Sequence, residues 1–373
     1  MTFSRTATAQ VDVLVIGAGV VGLACAAALA RRGREVLVVE RDEGPGRGTS
    51  SRNSGVIHAG LYYPPGSLKA RLCVEGRERL YRWCAQQRVA HRKTGKLVVA
   101  TTAGELDRLA DLAERGRANG AGALAMLDAA EVRRRDPALR TVGALWSPES
   151  GLVDAHELVD SLLAAARRHG TDVAWRSAVE AVEPGDRGAR LAVRGPDGEP
   201  ARVRAPFVVN AAGLGADRVA ALAGVDPDAA GWRQHWCKGR YFALTAEAPR
   251  PRTALVYPVP GEAGLGIHLT TDLGGRVVAG PDAAYVDRLD YAVAPEAAHV
   301  FADAVARYLP GLRPEHLTPD YAGVRPKLQG PGDGFRDFVV EERPPGVVHL
   351  LGLESPGLTA ALALGELVAG RAG

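Results

Sequence analysis

The hydrophobic pattern begins with a short apolar run, VDVLVI at 11–16, which predicts a buried parallel strand. GAGVVG at 17–22 and a small-residue segment ending at Gly33 follow, and they predict a tight turn that opens a helix. A second apolar run, EVLVVE at 35–40, predicts another strand. The first 40 residues therefore predict a strand–helix–strand unit.

The rest of the chain alternates between helical and strand-like patterns. The predicted elements are a helix over 66–89, a strand over 95–102 followed by a helix, a turn and helix over 151–170, two short strands over 171–182, and a strand with a small-residue turn over 207–217. Alternating apolar runs between about 232 and 291 predict an antiparallel sheet. A helix over about 295–309, a strand over 346–353 and a glycine-started helix complete the pattern.

These elements predict an α/β fold (α+β overall), with a Rossmann-like dinucleotide domain and a second domain on a mixed, largely antiparallel sheet. Dinucleotide elements occur at both ends and in the middle, so we expect the first domain to be discontinuous. The predicted division assigns 1–65, 150–225 and 320–373 to the dinucleotide domain, and 66–149 and 226–319 to a substrate or cap domain.

Composition excludes several classes of protein. The 46 basic and 43 acidic residues leave a net charge of +3, too small for a nucleic-acid-binding protein. The four cysteines form no CxxC pair or metal-ligand cluster, and we expect buried free thiols and no metal site. The start, MTFSRTATAQ, lacks an apolar core of a secretory signal, and no stretch is apolar enough to span a membrane. We therefore expect a cytoplasmic protein.

The glycines at 17–22 carry the first chemical signal. Gly17, Gly19 and Gly22 form GxGxxG between a strand and a helix, where they allow a tight turn, close approach of a pyrophosphate and close helix–strand packing. Glu40 ends the second strand 18 residues after Gly22, where a carboxylate accepts hydrogen bonds from ribose hydroxyls. The unit predicts dinucleotide binding.

Three further elements favour FAD over NAD. TSSRNSG at 49–55 suits a diphosphate or ribityl chain, NAAG at 210–213 follows an apolar strand, and the helix that closes the chain at 352–370 can point its N-terminus at a flavin carbonyl. The predicted cofactor contacts are Gly17, Gly19, Val20, Val21, Gly22, Glu40, Arg41, Thr49, Ser50, Ser51, Asn53, Ser54, Val179, Ala212, Gly213, Gly352, Gly357, Leu358 and Thr359.

Several long motifs resemble the D-amino-acid-oxidase-like superfamily of FAD-dependent oxidoreductases, most closely its L-2-hydroxyglutarate dehydrogenase/oxidase-like group. They include DVLVIGAGVVGLACAAALA, TSSRNSGVIHAGLYYPPGSLKARLCVEG, GKLVVA, GLVDAHEL, VVNAAGLGAD, CKGRYF, GLGIHLT, YAGVRPK and ESPGLTAALALGE. The resemblance implies a two-domain flavoenzyme that oxidises a small carboxylate by hydride transfer to FAD. One motif departs from the group: ESPGLT stands where its members carry an APSPAAT-type turn, which places Glu354 near the expected flavin.

Oxidation of a 2-hydroxy acid needs a cation for the carboxylate and a base for the hydroxyl proton. Arg325 in AGVRP is the first choice for the cation, since an arginine in this motif binds the substrate carboxylate in similar oxidases. Lys327 and Lys238 are weaker choices. His58 and His268 are the two choices for the base, and either imidazole is alternatively structural.

Other functions remain open at this stage. Tyr62, Tyr63 and Tyr241 either donate hydrogen bonds to substrate or pack in the core. The resemblance also allows covalent attachment of FAD to His58, as in related dimethylglycine and sarcosine dehydrogenases. Oxidation of an amino acid or secondary amine is the first alternative function, and a non-catalytic flavin-binding module is the second. The electron acceptor, whether oxygen, quinone or another carrier, depends on access to the flavin.

Overall fold

The computed structural model describes residues 9–261 and 265–372. Most of the segment judged for a secretory signal, residues 1–8, and the first glycine of GLGIHLT lie outside the described residues. In the described residues the α-helices are Val20–Arg31, Leu68–Gln87, Gly104–Asn119, Ala129–Arg135, Ala155–Arg168, Ala216–Leu222, Ala298–Ala306 and Gly357–Ala369.

A mainly parallel sheet forms the dinucleotide part of the fold. Its strands, in spatial order, are Asp172–Ala174, Val36–Val39, Val13–Ile16, Phe207–Asn210, Val347–Leu351 and Val339–Glu342. The first five are parallel, and the last is antiparallel to its neighbour. The predicted strand–helix–strand unit thus lies at the middle of this sheet.

Both faces of this sheet are covered, which explains its nearly continuous apolar strands. Val13 and Val15 pack into a core shared with the helices Val20–Arg31 and Gly357–Ala369. Leu14 and Ile16 point to the opposite face and pack against a small, mostly antiparallel sheet. That sheet consists of Ala9–Gln10, Pro200–Ala205, Ala189–Arg194 and Ala178–Pro184.

A large mixed sheet forms the second part of the fold. Its strands, in order, are Ala284–Tyr285, His235–Leu244, Val277–Ala279, Leu269–Thr271, Leu255–Pro258, Lys96–Ala100, Gly143–Ser147 and Ala125–Asp128, with Leu317–Lys327 also pairing along His235–Leu244. Leu255–Pro258 and Lys96–Ala100 are parallel, and the other pairs are antiparallel. A small sheet of Val56–Ile57, Gly151–Val153 and His91–Arg92 lies apart from it.

The fold-class prediction of a mixed α/β protein is confirmed. The sheet predicted between 232 and 291 exists, but it is larger than expected because strands from 96–147 and from Leu317–Lys327 join it. The sequence pattern missed the hairpin at 189–205, whose exposed positions are arginines and other polar residues. The predicted domain boundaries stay a prediction.

The last helix packs against elements from the beginning of the chain. A Cβ added to Gly365 would lie 2.6 Å from the carbonyl oxygen of Ala24, so the helices Gly357–Ala369 and Val20–Arg31 approach closely only with glycine there. Gly76 likewise allows the helices Leu68–Gln87 and Gly357–Ala369 to approach closely, because a Cβ added to it would lie 2.3 Å from the carbonyl oxygen of Thr359. The C-terminal helix is therefore an integral part of the first core.

In the described residues, no helix is long and apolar enough to cross a membrane. Over the same residues, no group of histidine, cysteine, aspartate and glutamate is placed to hold a metal ion. All four cysteines lie in the described residues, where they are buried and free of disulfides, as predicted.

Candidate active site

A cavity of about 840 Å³ opens at the carboxyl ends of the parallel strands. Its walls come from the ends of those strands, from the 46–54 loop, and from Gly239, Tyr241, Tyr257 and Gly323 on the large sheet. This is the position at which open α/β sheets bind ligands. The volume is also within the range of roughly 300–1,000 Å³ that is usual for small-molecule sites.

The glycine turn at one end of the cavity requires its glycines. Gly17 has a φ of 104°, and a Cβ on Gly22 would lie 2.0 Å from the carbonyl oxygen of Gly17. The helix that follows starts at Val20 with no side-chain cap and no acidic residue in its first turn, among the described residues. Val20 and Val21 line the cavity, so the positive end of the helix dipole lies at its wall, where a phosphate is favoured.

Glu40 is held in place beside this turn. Its Oε2 accepts a hydrogen bond from the backbone N–H of Ala18 at 2.7 Å, and its Oε1 accepts one from Asp42 at 2.9 Å. The carboxylate lines the cavity and is only partly buried. It is therefore oriented by the backbone while still open to a ribose hydroxyl.

The 49–55 loop closes over the helix start. The Ser50 hydroxyl accepts a hydrogen bond from the N–H of Val20 at 3.0 Å. Asn53 donates to the carbonyl oxygen of Ser50 at 2.7 Å and accepts from Gly55 at 2.8 Å. Tyr321, on the large sheet, donates to the carbonyl oxygen of Asn53 at 2.9 Å. These bonds join the loop to both parts of the fold.

The opposite end of the cavity is formed by the start of the C-terminal helix. Gly357 and Leu358 line it, and within the described residues the helix has no side-chain cap and no acidic residue in its first turn. The cavity thus has a helix N-terminus at each end; at the first, Ser50 accepts the N–H of Val20 and the Glu40 carboxylate lies nearby. This arrangement fits FAD, whose pyrophosphate and flavin carbonyl both require hydrogen-bond donors.

The two histidines lie in the cavity wall, near one another. The Nδ1 atom of His268 is 3.2 Å from the carbonyl oxygen of Gly266, which can only accept, so Nδ1 carries the proton. Its Nε2 is then an unprotonated acceptor, and it is buried with no partner among the described residues. Burial lowers the pKa of His268 to about 3, and the positive charges of Lys96 and Arg325 act in the same direction.

His58 has a different environment. Its Nε2 lies 3.2 Å from the Ser355 hydroxyl, and its Nδ1 is buried without a partner in the described part of the chain. Burial, followed by the charges of Lys96 and His268, holds the pKa of His58 well below its ordinary value. Both imidazoles are therefore neutral at physiological pH, and each has a nitrogen available for a bound molecule.

Arg325 presents its guanidinium to the same cavity. Its Nη2 donates to the carbonyl oxygens of Asp282 at 2.6 Å and Lys238 at 3.3 Å, and its Nε donates to that of Cys237 at 3.3 Å. No described residue accepts a hydrogen bond from Nη1 or forms an ion pair with this guanidinium. The charge is thus positioned by neutral carbonyl groups and remains available to an anion.

The other predicted cations are already paired. The Nζ of Lys238 lies 2.7 Å from Asp290, and the Nζ of Lys327 lies 3.0 Å from Glu354. Glu354 also binds Lys69 at 3.0 Å. Burial alone would raise the pKa of the Glu354 carboxyl, but the two ammonium groups lower it below its usual value. Neither Lys238 nor Lys327 lines the cavity, so their placement does not support a substrate contact.

Most of the predicted site residues meet at this cavity. Those in its wall are His58, His268, Arg325, Tyr241, Gly17, Gly19, Val20, Val21, Glu40, Arg41, Thr49, Ser50, Asn53, Ser54, Val179, Ala212, Gly213, Gly357 and Leu358. Those outside the wall are Tyr62, Tyr63, Lys238, Lys327, Gly22, Ser51, Gly352 and Thr359. Thr359 nevertheless supports it, because its hydroxyl accepts the backbone N–H of His58 at 3.0 Å.

Sequence reasoning missed several residues of the site. Ser355, Tyr257 and Lys69 were not singled out, although all three lie in motifs that carried the resemblance or beside them. Lys96 was also missed, and its side chain is completely buried behind the cavity wall. The lysine at the start of an otherwise apolar strand, GKLVVA, was the signal that could have identified it.

Comparisons with known proteins agree with this geometry. A family model described as FAD dependent oxidoreductase matches residues 12–371. The chain is 40% identical to the mitochondrial L-2-hydroxyglutarate dehydrogenase of Arabidopsis thaliana, across 97% of this chain and 83% of that protein. It is 28% identical to the L-2-hydroxyglutarate dehydrogenase of Escherichia coli K12, across 95% and 91% of the two chains.

Solved structures show the same architecture. L-α-glycerophosphate oxidase from Mycoplasma pneumoniae, with FAD bound, superposes with a TM-score of 0.86 at 27% identity, over 97% of this chain and 94% of that chain. Glycine oxidase from Geobacillus kaustophilus has the same fold, with a TM-score of 0.82 at 23% identity, over 98% and 95%.

The fold and the family match therefore define an FAD-dependent flavoenzyme. The chain belongs to the FAD dependent oxidoreductase family, the family indicated by its motifs. The predictions of an FAD cofactor and of an oxidoreductase are confirmed, and the alternative of a non-catalytic flavin-binding module is wrong.

Proposed function

We propose that this enzyme oxidises an L-2-hydroxy acid, specifically L-2-hydroxyglutarate, to the corresponding 2-oxo acid. The observation that carries the proposal is the presence of Arg325 and two neutral histidines in the wall of one cavity. The 40% identity to a relative with that named substrate supports the choice of acid. When bound, FAD supplies the acceptor for the hydride from the substrate's second carbon.

In this proposal the chain's own residues bind the substrate and manage its proton. Arg325 binds the 1-carboxylate and thereby fixes the second carbon over the flavin position. The hydroxyl proton passes to an imidazole, either the free Nε2 of His268 or the free Nδ1 of His58. Both groups are uncharged before the reaction, so each has a ring nitrogen with a lone pair toward which the hydroxyl proton can move during hydride transfer.

The cofactor-binding part of the proposal follows the same geometry. Glu40 binds the ribose hydroxyls, the helix starting at Val20 binds the pyrophosphate, and the helix starting at Gly357 faces the flavin carbonyl. We propose that FAD is held by these contacts alone. Acid denaturation should then release all of the flavin, whereas flavin that stays with the protein would make His58 the attachment point.

Anaerobic mixing of the purified holoenzyme with a substrate panel tests the function. The panel contains L- and D-2-hydroxyglutarate, L-lactate, glycerol 3-phosphate, glycine and L-proline, and the readout is loss of flavin absorbance. We expect rapid bleaching with L-2-hydroxyglutarate alone. Faster bleaching by an amine would instead support amino-acid oxidation, the first alternative.

Two measurements complete the proposal. The variants His58→Asn and His268→Asn identify the base. The variant that lacks the base should show the larger fall in the rate of flavin reduction, most strongly at low pH. Reoxidation by oxygen, a soluble quinone or an artificial carrier then identifies the electron acceptor. We also propose a cytoplasmic location, since buried free thiols suit a reducing compartment, and cell fractionation tests it.

A further inference from the structure

A buried lysine lies behind the wall of the active site. Lys96 begins a central strand of the large sheet, and its side chain is 0% exposed. Its Nζ has no hydrogen-bond partner among the described residues. An ammonium group without a partner is costly to bury. A lysine that served only to fill the core could be replaced by an apolar residue at no cost, so its position requires an explanation.

Aromatic rings surround this ammonium group. Its Nζ lies 4.6 Å from the ring centre of Tyr62 and 4.4 Å from that of Tyr257. Ring faces at this distance stabilise a cation, so they recover part of the cost of burial. Burial acts in the opposite direction and lowers the pKa of Lys96 to about 7. Below that pH the side chain carries its charge.

The same rings connect Lys96 to the histidines. Tyr257 stacks on His268, with ring centres 3.7 Å apart and planes tilted by 13°. Tyr257 and His268 line the cavity, while Lys96 does not. Lys96 lowers the pKa of both His58 and His268, after the larger effect of burial. Its charge therefore acts on both candidate bases without contact with the substrate.

Other titratable groups near this cluster do not cancel the charge. Burial raises the pKa of Cys73 to about 12 and raises those of Tyr62, Tyr63 and Tyr257, so all four stay neutral. Arg325 adds a second positive charge that acts on His268. The Glu354 carboxylate, which also lines the cavity, is already paired with Lys69 and Lys327.

We propose that Lys96 is a positioning residue: a buried cation that packs against Tyr257, holds the ring of His268 through that tyrosine and adds a positive charge behind both active-site histidines. Its catalytic consequence rests on the proposed function, but its effect on the histidines does not. The charge of Lys96 is present below about pH 7, and its effect on the pKa of both histidines adds to the larger effect of burial.

Titration of the histidine rings tests this directly, without substrate. The FAD-loaded protein is labelled with 13C in its histidines, and the ring Cε1–H signals are followed by NMR from pH 8 down to the lowest pH at which the holoenzyme stays folded, because the pKa of His268 is about 3. His58→Asn and His268→Asn assign the two signals. In Lys96→Met, both histidines should titrate at a higher pH, by about one pH unit for loss of a nearby charge. Lys93→Met is the matched control. Lys93 lies three residues before Lys96 in the sequence, but it is exposed and paired with Glu149.

Stability separates this role from a structural one. Methionine fills a similar volume and removes an unpartnered charge, so Lys96→Met should melt at the same temperature as the wild type or higher. The pH profile of anaerobic flavin reduction should move in the same direction as the NMR titration. If L-2-hydroxyglutarate does not reduce the flavin of the wild type either, the proposed substrate is wrong, whereas unmoved histidine titrations overturn the role of Lys96.

A second variant covers the case in which Lys96→Met does not bind FAD. Tyr62→Leu removes one of the two ring faces and leaves the stack of Tyr257 on His268 intact. The ammonium form of Lys96 then loses stabilisation, so the histidines should titrate at a higher pH, by a smaller amount. Titrations identical to those of the wild type would again overturn the proposal.

Discussion

Replacing Arg325 by alanine removes the cation that we assign to the substrate carboxylate. In the structure this guanidinium is fixed by the carbonyl oxygens of Asp282, Lys238 and Cys237, and no described carboxylate neutralises it. Loss of one partner of a buried, hydrogen-bonded charge pair costs about 2–5 kcal/mol. That range corresponds to a loss of roughly 30- to 5,000-fold in the efficiency of flavin reduction.

Anaerobic stopped-flow reduction measures this loss as the slope of rate against substrate concentration. Arg325→Lys should recover only part of the activity, because an ammonium group cannot reproduce the planar fork. Lys238→Met is the matched control on the paired strand: its ammonium pairs with Asp290 outside the cavity, so reduction should change little. The FAD content of all three variants should match that of the wild type.

If Arg325→Ala reduced its flavin as efficiently as the wild type does, the assignment of Arg325 to the substrate carboxylate would be refuted. A large loss in Lys238→Met with little loss in Arg325→Ala would place the carboxylate at the weaker sequence candidate instead. Loss of FAD from Arg325→Ala would show that the three carbonyl contacts support the cofactor site rather than the substrate.

Three other perturbations test separate parts of the site. Gly22→Ala places a Cβ 2.0 Å from the carbonyl oxygen of Gly17 and should yield protein without flavin, whereas Gly104→Ala, with no atom within 4 Å, should stay yellow. Glu354→Gln leaves the buried Lys69 and the partly buried Lys327 without their shared carboxylate and should lower stability at pH 7 by about 3–5 kcal/mol in a thermal or denaturant melt. The pKa of Glu354 is lower in the folded protein than in the unfolded chain, so its contribution to stability is present above the unfolded-state pKa and is lost as pH falls through the folded-state pKa. The difference in stability between wild type and Glu354→Gln should therefore narrow in acid. A difference that stays constant would contradict the ion-pair argument. Glu40→Ala should weaken FAD binding by at most a few kcal/mol in a fluorescence titration, and unchanged affinity would remove Glu40 from the site.

The cofactor half of the site was accessible from sequence because its chemistry is local. Gly17, Gly22 and Glu40 lie within one strand–helix–strand unit, so their spacing alone fixes their geometry. Arg325 and His268 required the resemblance, since they lie far apart along the chain and meet only through the large sheet.

The substrate half contained residues that no local pattern could reveal. The ion pairs of Lys238 with Asp290 and of Lys327 with Glu354 depend on loops that fold back from distant positions, so both lysines looked available in the sequence. Lys96 was hidden for the opposite reason: a lysine at a strand end is usually solvated, and only the packing of Tyr62 and Tyr257 shows that this one is buried.

The contact between the first and last helices also has a consequence for biosynthesis. The helix Gly357–Ala369 is synthesised more than 300 residues after the helix Val20–Arg31, yet it covers that helix and faces the cavity near His58. Until it docks, the early strand–helix–strand unit exposes one face of its core, and the flavin end of the cavity has no floor. Closing a contact across nearly the whole chain is slow compared with local folding. We therefore expect FAD to enter only after the helix Gly357–Ala369 has been synthesised and has docked. Chains cut short before residue 357 should be captured by chaperones or degraded rather than accumulate as half-assembled holoenzyme.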